Sequence, residues 1–184
     1  MKVLIFGASG SGTTTLGKEL AERTDFIHLD ADDYYWKKTN PPFQEKILLA
    51  ERNENLNADF IKSKNVVLSG SMVSWGKEWQ TAFDLAIFLH LDNDERMRRL
   101  RKREEERYGT LLATDKKIRE TSRAFLEWAN QYENPDFDGR SFSLHKKWMK
   151  LLKCEIIEMN SSMPLMGKVD VLFEKLKLWS GNHS

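Results

Sequence analysis

The first 14 residues set the fold class. Lys2-Val3-Leu4-Ile5-Phe6 is a β-branched and aromatic run without polar alternation, the pattern of a strand buried on both faces of a parallel sheet. It breaks into Gly7-Ala8-Ser9-Gly10-Ser11-Gly12-Thr13-Thr14, and a helical pattern covers Thr13 to Arg23, with Leu16, Leu20 and Ala21 on one stripe. A strand that turns through glycines into a helix leaves backbone N–H groups unpaired beside the positive end of the helix dipole. That is an anion site. The segment departs at one position from G-x-x-x-x-G-K-[ST], because Thr13 stands where the pattern has Lys. Gly7, Ser9, Gly10, Ser11, Gly12, Thr13, Thr14 and Thr15 are expected to cradle phosphates, and Thr14 to offer the hydroxyl for Mg²⁺.

Strands and helices alternate along the rest of the chain. Phe26 to Leu29, Val66 to Leu68, Leu85 to Leu91 and Glu155 to Met159 read as further strands. Helices are expected over Gln44–Lys62, Trp75–Ala82, Asp92 or Asn93 to about Tyr108, Asp115–Tyr132, His145–Leu152 and Pro164–Trp179. This order predicts one α/β domain over 1–184, a three-layer sandwich around a five-stranded parallel sheet. Two excursions interrupt it, 34–62 beside the acids that end the second strand and 108–143 as lid and adjoining region.

Bulk properties exclude several classes. A net charge of +1 gives no global field for nucleic acid or an anionic membrane. The lone Cys154 allows no intrachain disulfide and is expected to pack in the core. The opening apolar run is too short for a signal sequence and no stretch approaches a membrane span, so a cytoplasmic protein, monomer or homodimer, is expected.

One rival reading competes for the glycine turn. Gly7-x-x-Gly10-x-Gly12 resembles a dinucleotide turn, and Asp30 lies 18 residues past Gly12, near the distance for a ribose-binding acid. Three threonines after the turn, and no Tyr-x-x-x-Lys pair for hydride transfer, count against it.

Gly12-Thr13-Thr14-Thr15, Asp30-Ala31-Asp32-Asp33-Tyr34-Tyr35-Trp36 and Ser69-Gly70-Ser71 carry a resemblance over nearly the whole chain. The sequence resembles the nucleoside-monophosphate-kinase-like P-loop proteins, which include adenylate, shikimate and gluconate kinases. It is most similar to a bacterial branch described as adenylate-kinase-like or topology modulation proteins. The resemblance implies a P-loop NTPase fold, ATP with Mg²⁺, and a nucleotide-like or other small-molecule acceptor. It implies that Asp30 helps hold the metal and that Asp32 binds and activates the acceptor. Ser69, Gly70 and Ser71 would contact that acceptor, with Tyr35 and Trp75 as pocket wall.

Arg96 to Arg107 holds seven Arg or Lys in twelve residues. Arg96, Arg99, Arg103 and Arg107 share a helix face, which costs repulsion unless something anionic meets it. By resemblance, Arg103 and Arg107 grip the transferring phosphoryl group, and Arg140 ranks below them. The missing lysine favours an alternative, a nucleotide-binding regulator with weak turnover, possibly associated with nucleic acid.

Overall fold

The structure is a computed structural model that describes residues 1–181; the last three residues of the expected domain lie outside the described residues. β1 (Lys2–Gly7), β2 (Ile27–Asp30), β3 (Val66–Ser69), β4 (Leu85–His90) and β5 (Glu155–Asn160) form a parallel sheet in the order β2-β3-β1-β4-β5. The helices are α1 (Thr13–Glu22), α2 (Ala31–Tyr35), α3 (Leu49–Lys62), α4 (Asn93–Tyr108), α5 (Leu111–Thr114), α6 (Lys116–Asn130), α7 (Phe142–Met149) and α8 (Leu165–Gly181). The three-layer α/β expectation holds. The sheet order also separates the chain from the dinucleotide-binding arrangement, whose order runs 3-2-1-4-5-6.

Alternation along the central strand builds the two outer layers. Leu4 and Phe6 point to one face, with Leu68 and Phe88, against Leu56 and Phe60 of α3 and Trp148 of α7. Val3 and Ile5 point to the other, with Val67, Ile87 and Leu89, against Leu16 and Leu20 of α1 and Val169 and Leu172 of α8. Successive side chains of a strand alternate between faces, so an unbroken apolar run is required where both faces are covered. A smaller cluster of Met97, Leu100 and Ala129, with Phe125, Leu126 and Trp128, packs α6 onto α4.

Two expected helices and one strand end are corrected. The helix of 44–62 starts only at Leu49. Before it, the backbone pairs across the loop instead, with Lys37 N–H donating to the Glu45 carbonyl at 2.8 Å and Ile47 N–H to that of Tyr35 at 2.8 Å. Trp75–Ala82 reduces to one 3₁₀ turn, Glu78–Gln80, because Ser74 (φ 69°) and Gly76 (φ 137°) lie in backbone conformations a helix excludes. Of the acids that end the second strand, Asp32 and Asp33 belong instead to α2, whose N-cap is Asp30: its side chain accepts from Asp32 N–H at 3.0 Å. Cys154 is half-buried just ahead of β5.

The two-faced core predicts a sharp contrast. Leu4→Ala, at a position with 0% exposure, should lower unfolding free energy by about 2–5 kcal/mol. Leu178→Ala, at 67% exposure, should change it by about 0.5 kcal/mol or less. Urea denaturation of the two variants checks this; equal losses would contradict the layer assignment.

Candidate functional site

The carboxyl ends of β1 and β3 open onto a cleft of about 230 Å³. Its floor is the glycine turn. Gly12, at φ +90°, is the N-cap of α1 and supplies no side-chain cap, so the first-turn N–H groups of α1 are left facing the cleft. Only glycine takes that left-handed conformation without strain. Gly7, Ser9, Gly10, Gly12, Thr13, Thr14 and Thr15 all line the cleft as expected. Ser11 does not. It is fully buried, its N–H closes the turn on the Ala8 carbonyl at 3.1 Å, and its own carbonyl accepts from Ser161 Oγ. Its role is to hold the turn rather than to meet a ligand.

The acids stand at the mouth of the turn. Thr14 Oγ1 donates to Asp30 Oδ2 at 2.7 Å, and Asp30 Oδ1 takes the Asp32 N–H. A hydroxyl and a carboxylate in contact are hard oxygen donors of the kind Mg²⁺ takes alongside waters and substrate phosphates. No larger cluster of His, Cys, Asp or Glu capable of holding a metal occurs among the described residues. Asp32 lines the cleft and is open to solvent on that side, yet protein crowds it elsewhere. This burial raises its pKa above the ordinary carboxylate value, and Asp30 adds to the rise, while Arg140, Arg103 and Arg107 oppose it.

Three guanidinium groups share the cleft: Arg99, Arg103 and Arg140. Arg99 is gripped at Nε by Glu95 Oε1 at 2.8 Å, and its Nη1 would lie 3.9 Å from a Cβ on Gly12, directly beside Thr13. Arg103 has its pKa lowered by burial and by the neighbouring Arg107 charge. Arg140 donates from Nη2 to Ser9 Oγ at 3.2 Å and stacks over Trp128 at 5.0 Å, and burial lowers its pKa too. Arg140 ranks low in the sequence because nothing local marks it. The available signal is Ser141, the N-cap of α7, which makes Gly139-Arg140 the reversal into that helix.

The arginine face of α4 is therefore divided. Arg96 does not meet ligand: it is fully buried, with Nη2 donating to Glu133 at 2.6 and 2.9 Å and to Asn93 Oδ1 at 2.8 Å, and Nη1 to the Ser9 carbonyl at 3.3 Å. Arg107 lies outside the cleft lining, paired with Glu104 Oε1 at 2.9 Å and over the Phe43 ring at 4.0 Å. The anions that relieve this face are side chains of the protein itself.

On the acceptor side, Gly70 (φ +112°) and Ser71 line the cleft. A Cβ on Gly70 would come 2.8 Å from Ala31 Cβ, so the glycine lets α2 and its acids close on β3. Ser69 and Trp75 are not brought into the cleft. Ser69 is fully buried with its Oγ 2.9 Å from His28 Nε2, and Trp75 sits in the core beneath Arg52. Arg52 is buried between the rings of Tyr35 (4.4 Å) and Trp75 (4.6 Å), and its Nε has no hydrogen-bond partner. Tyr35 is half-buried in that stack and does not line the cleft.

With this geometry in place, likeness to known proteins becomes informative. A family model described as "AAA domain" matches residues 3–123. The chain is 38% identical over 172 residues to the uncharacterized protein YqaC of Bacillus subtilis (strain 168), covering 94% of this chain and 95% of that one. It is 32% identical over 123 residues to a cytidylate kinase of Methanococcus vannielii, covering 61% of this chain and 71% of the other. A shikimate kinase from Bacteroides thetaiotaomicron shares the fold at TM-score 0.56 and 19% identity, over 96% of this chain and 98% of the other.

Two outcomes follow from the geometry. Arg96→Met should destabilise the protein by about 1–3 kcal/mol in urea denaturation, because it takes the donor from the Ser9 and Ala129 carbonyls and Asn93 Oδ1 while the exposed Glu133 turns to water, and Arg96→Lys should not restore the loss. Asp32→Asn should raise the urea midpoint at pH 7. A carboxyl whose folded pKa lies above its unfolded one costs stability when charged. The gain should therefore fade as pH falls through the raised value, and vanish below the ordinary carboxylate range.

Proposed function

Because the chain belongs to the AAA-domain family, with a P-loop NTPase fold of the nucleotide- and shikimate-kinase type, we propose that it is a small-molecule kinase. It transfers the γ-phosphoryl group of ATP, with Mg²⁺, to a hydroxyl or phosphate of a nucleotide-like acceptor. The observation that carries this reading is the position of Asp32: it shares one cleft with the glycine turn, Arg103 and Arg140, next to the Thr14–Asp30 pair. Phosphoryl transfer needs a held triphosphate, an oriented nucleophile and positive charge at the transferring group, and little else.

The roles divide as follows. The first-turn N–H groups of α1 and the loop backbone hold the phosphates. Thr14 and Asp30 would hold Mg²⁺, which would supply positive charge against the phosphates. Asp32 receives the acceptor group, orients it and takes its proton; its raised pKa makes it a better base than an ordinary aspartate. Arg99 and Arg140 supply the charge that Thr13 lacks, from beside Gly12 and Ser9, and Arg103 meets the transferring group. Arg107 reinforces Arg103 after leaving Glu104. Segment 108–143 acts as the lid that excludes water, and segment 34–62 as the acceptor-side excursion.

Thr13 favours a second reading, a nucleotide-binding regulator with little turnover. Titration with ATP and Mg²⁺, together with γ-phosphoryl transfer to a panel that includes cytidylate and shikimate (the names carried by two kinases it resembles), separates the two. For a kinase, Asp32→Asn should cut transfer about 100-fold or more while ATP affinity stays within about threefold. Arg140→Met should weaken ATP about tenfold, and adding Thr13→Lys should recover part of the loss. ATP binding without transfer to any acceptor supports the regulator; absence of ATP binding overturns both.

A further inference from the structure

Ser71 lines the cleft, yet its Oγ is bonded inward, 2.8 Å from His145 Nε2. His145 has no solvent exposure, and its Nδ1 lies 2.6 Å from the hydroxyl of the buried Tyr132. Phe6 and Phe88 enclose the imidazole at centroid distances of 5.6 and 5.8 Å. Burial, with the Arg140 charge nearby, pushes the His145 pKa down to about 3, so the ring is neutral and carries one N–H. Burial also raises the Tyr132 pKa, so its hydroxyl keeps its proton.

One ring proton leaves two tautomers, and the partners choose between them. With the proton on Nδ1, Tyr132 would have to accept from the ring. Its own O–H would then face no acceptor among the described residues, since His145 is the partner recorded for it. With the proton on Nε2, Tyr132 O–H donates to Nδ1 and Nε2–H donates to Ser71 Oγ. Both buried donors are then satisfied, and the hydrogen left over is that of Ser71, on the residue that borders the cleft.

We propose that Tyr132 and His145 are positioning residues that fix Ser71 as a hydrogen-bond donor into the cleft, so that the acceptor molecule presents an oxygen lone pair there, best an anionic one. Arg103 and Arg140 line the same cleft and favour the same charge. A molecule that can only donate at this point leaves the Ser71 hydrogen unpaired and binds more weakly. The identity of the cleft's occupant rests on the kinase reading; the tautomer does not.

The two parts are tested separately. Long-range ¹H–¹⁵N NMR of the imidazoles in the full chain at neutral pH, with His145→Phe for assignment, reads the tautomer directly. The expected result is Nε2–H in the wild type. Tyr132→Phe keeps the ring packing but removes the donor to Nδ1, and should shift the population toward Nδ1–H. An Nδ1–H or doubly protonated His145 in the wild type overturns the relay, whatever the variants do. For the cleft, the protein is saturated with Mg²⁺ and a non-hydrolysable ATP analogue, then titrated with inorganic phosphate and, separately, acetate. Ser71→Ala and Tyr132→Phe should each weaken one or both anions about tenfold while analogue affinity stays within about twofold. Weakening of phosphate alone or acetate alone identifies the class of oxyanion. Unchanged affinity for both anions, or no anion binding, overturns the donor role of Ser71. Failure of the analogue to bind overturns the kinase reading instead and leaves the tautomer result standing.

Discussion

The buried guanidinium of Arg96 is the constraint on which the site depends. A buried cation is tolerated only when most of its donors are met, and the two Nη groups of Arg96 are met by groups from separate parts of the chain: Asn93 on its own helix, the Ser9 carbonyl in the glycine turn, and Glu133 beyond α6. Its face is covered by the Tyr132 ring at 4.9 Å. One side chain thus joins the turn, α4 and the end of α6. Because Nε remains without a partner, the arrangement is not a maximally stable one, and its value lies in fixing three segments in one geometry. The other cationic groups inherit their places from it. Arg99 and Arg103 follow on the same helix, and Arg140 follows the segment that Glu133 anchors.

Short-range chemistry was legible in the sequence, and long-range choice was not. The strand, the glycine turn and the start of α1 are determined by neighbours, so these elements stand where the sequence put them. The arginine face of α4 shows the limit. Periodicity puts Arg96 and Arg103 on the same side of a helix, but cannot say which one the next helix covers. That depends on Glu133, 37 positions later. Arg140 reaches Ser9 across 131 positions, and Ser71 reaches His145 across 74; neither separation leaves a trace in local composition. Ser11 and Ser69 were misplaced for a simpler reason. A serine in a glycine-rich turn has the same letter whether its hydroxyl faces a ligand, a neighbouring histidine as in Ser69, or no partner as in Ser11.

The acceptor side follows the same economy. Asp30 serves three neighbours at once, as the cap of α2, the acceptor of the Thr14 hydroxyl, and a negative charge that raises the pKa of Asp32. The bareness of Gly70 lets that helical turn approach β3 closely enough for Asp32 and Ser71 to line one cleft. No helix of the described residues is long and apolar enough to cross a membrane, and the charged groups that matter are concentrated at the carboxyl edge of the sheet.

The contact between Arg140 and Ser9 has a thermodynamic consequence. A lysine inside the turn would move with the turn, and its contribution to anion affinity would be constant. A cation carried by a distant segment is different, because any free energy that orders or displaces that segment enters the affinity of the turn for anions. Linkage is reciprocal, so an anion on the turn stabilises the segment by the same amount. On the proposed reading, Thr13 in place of a lysine would exchange a fixed binding strength for an adjustable one, with the chain from Glu133 to Ser141 as the dial.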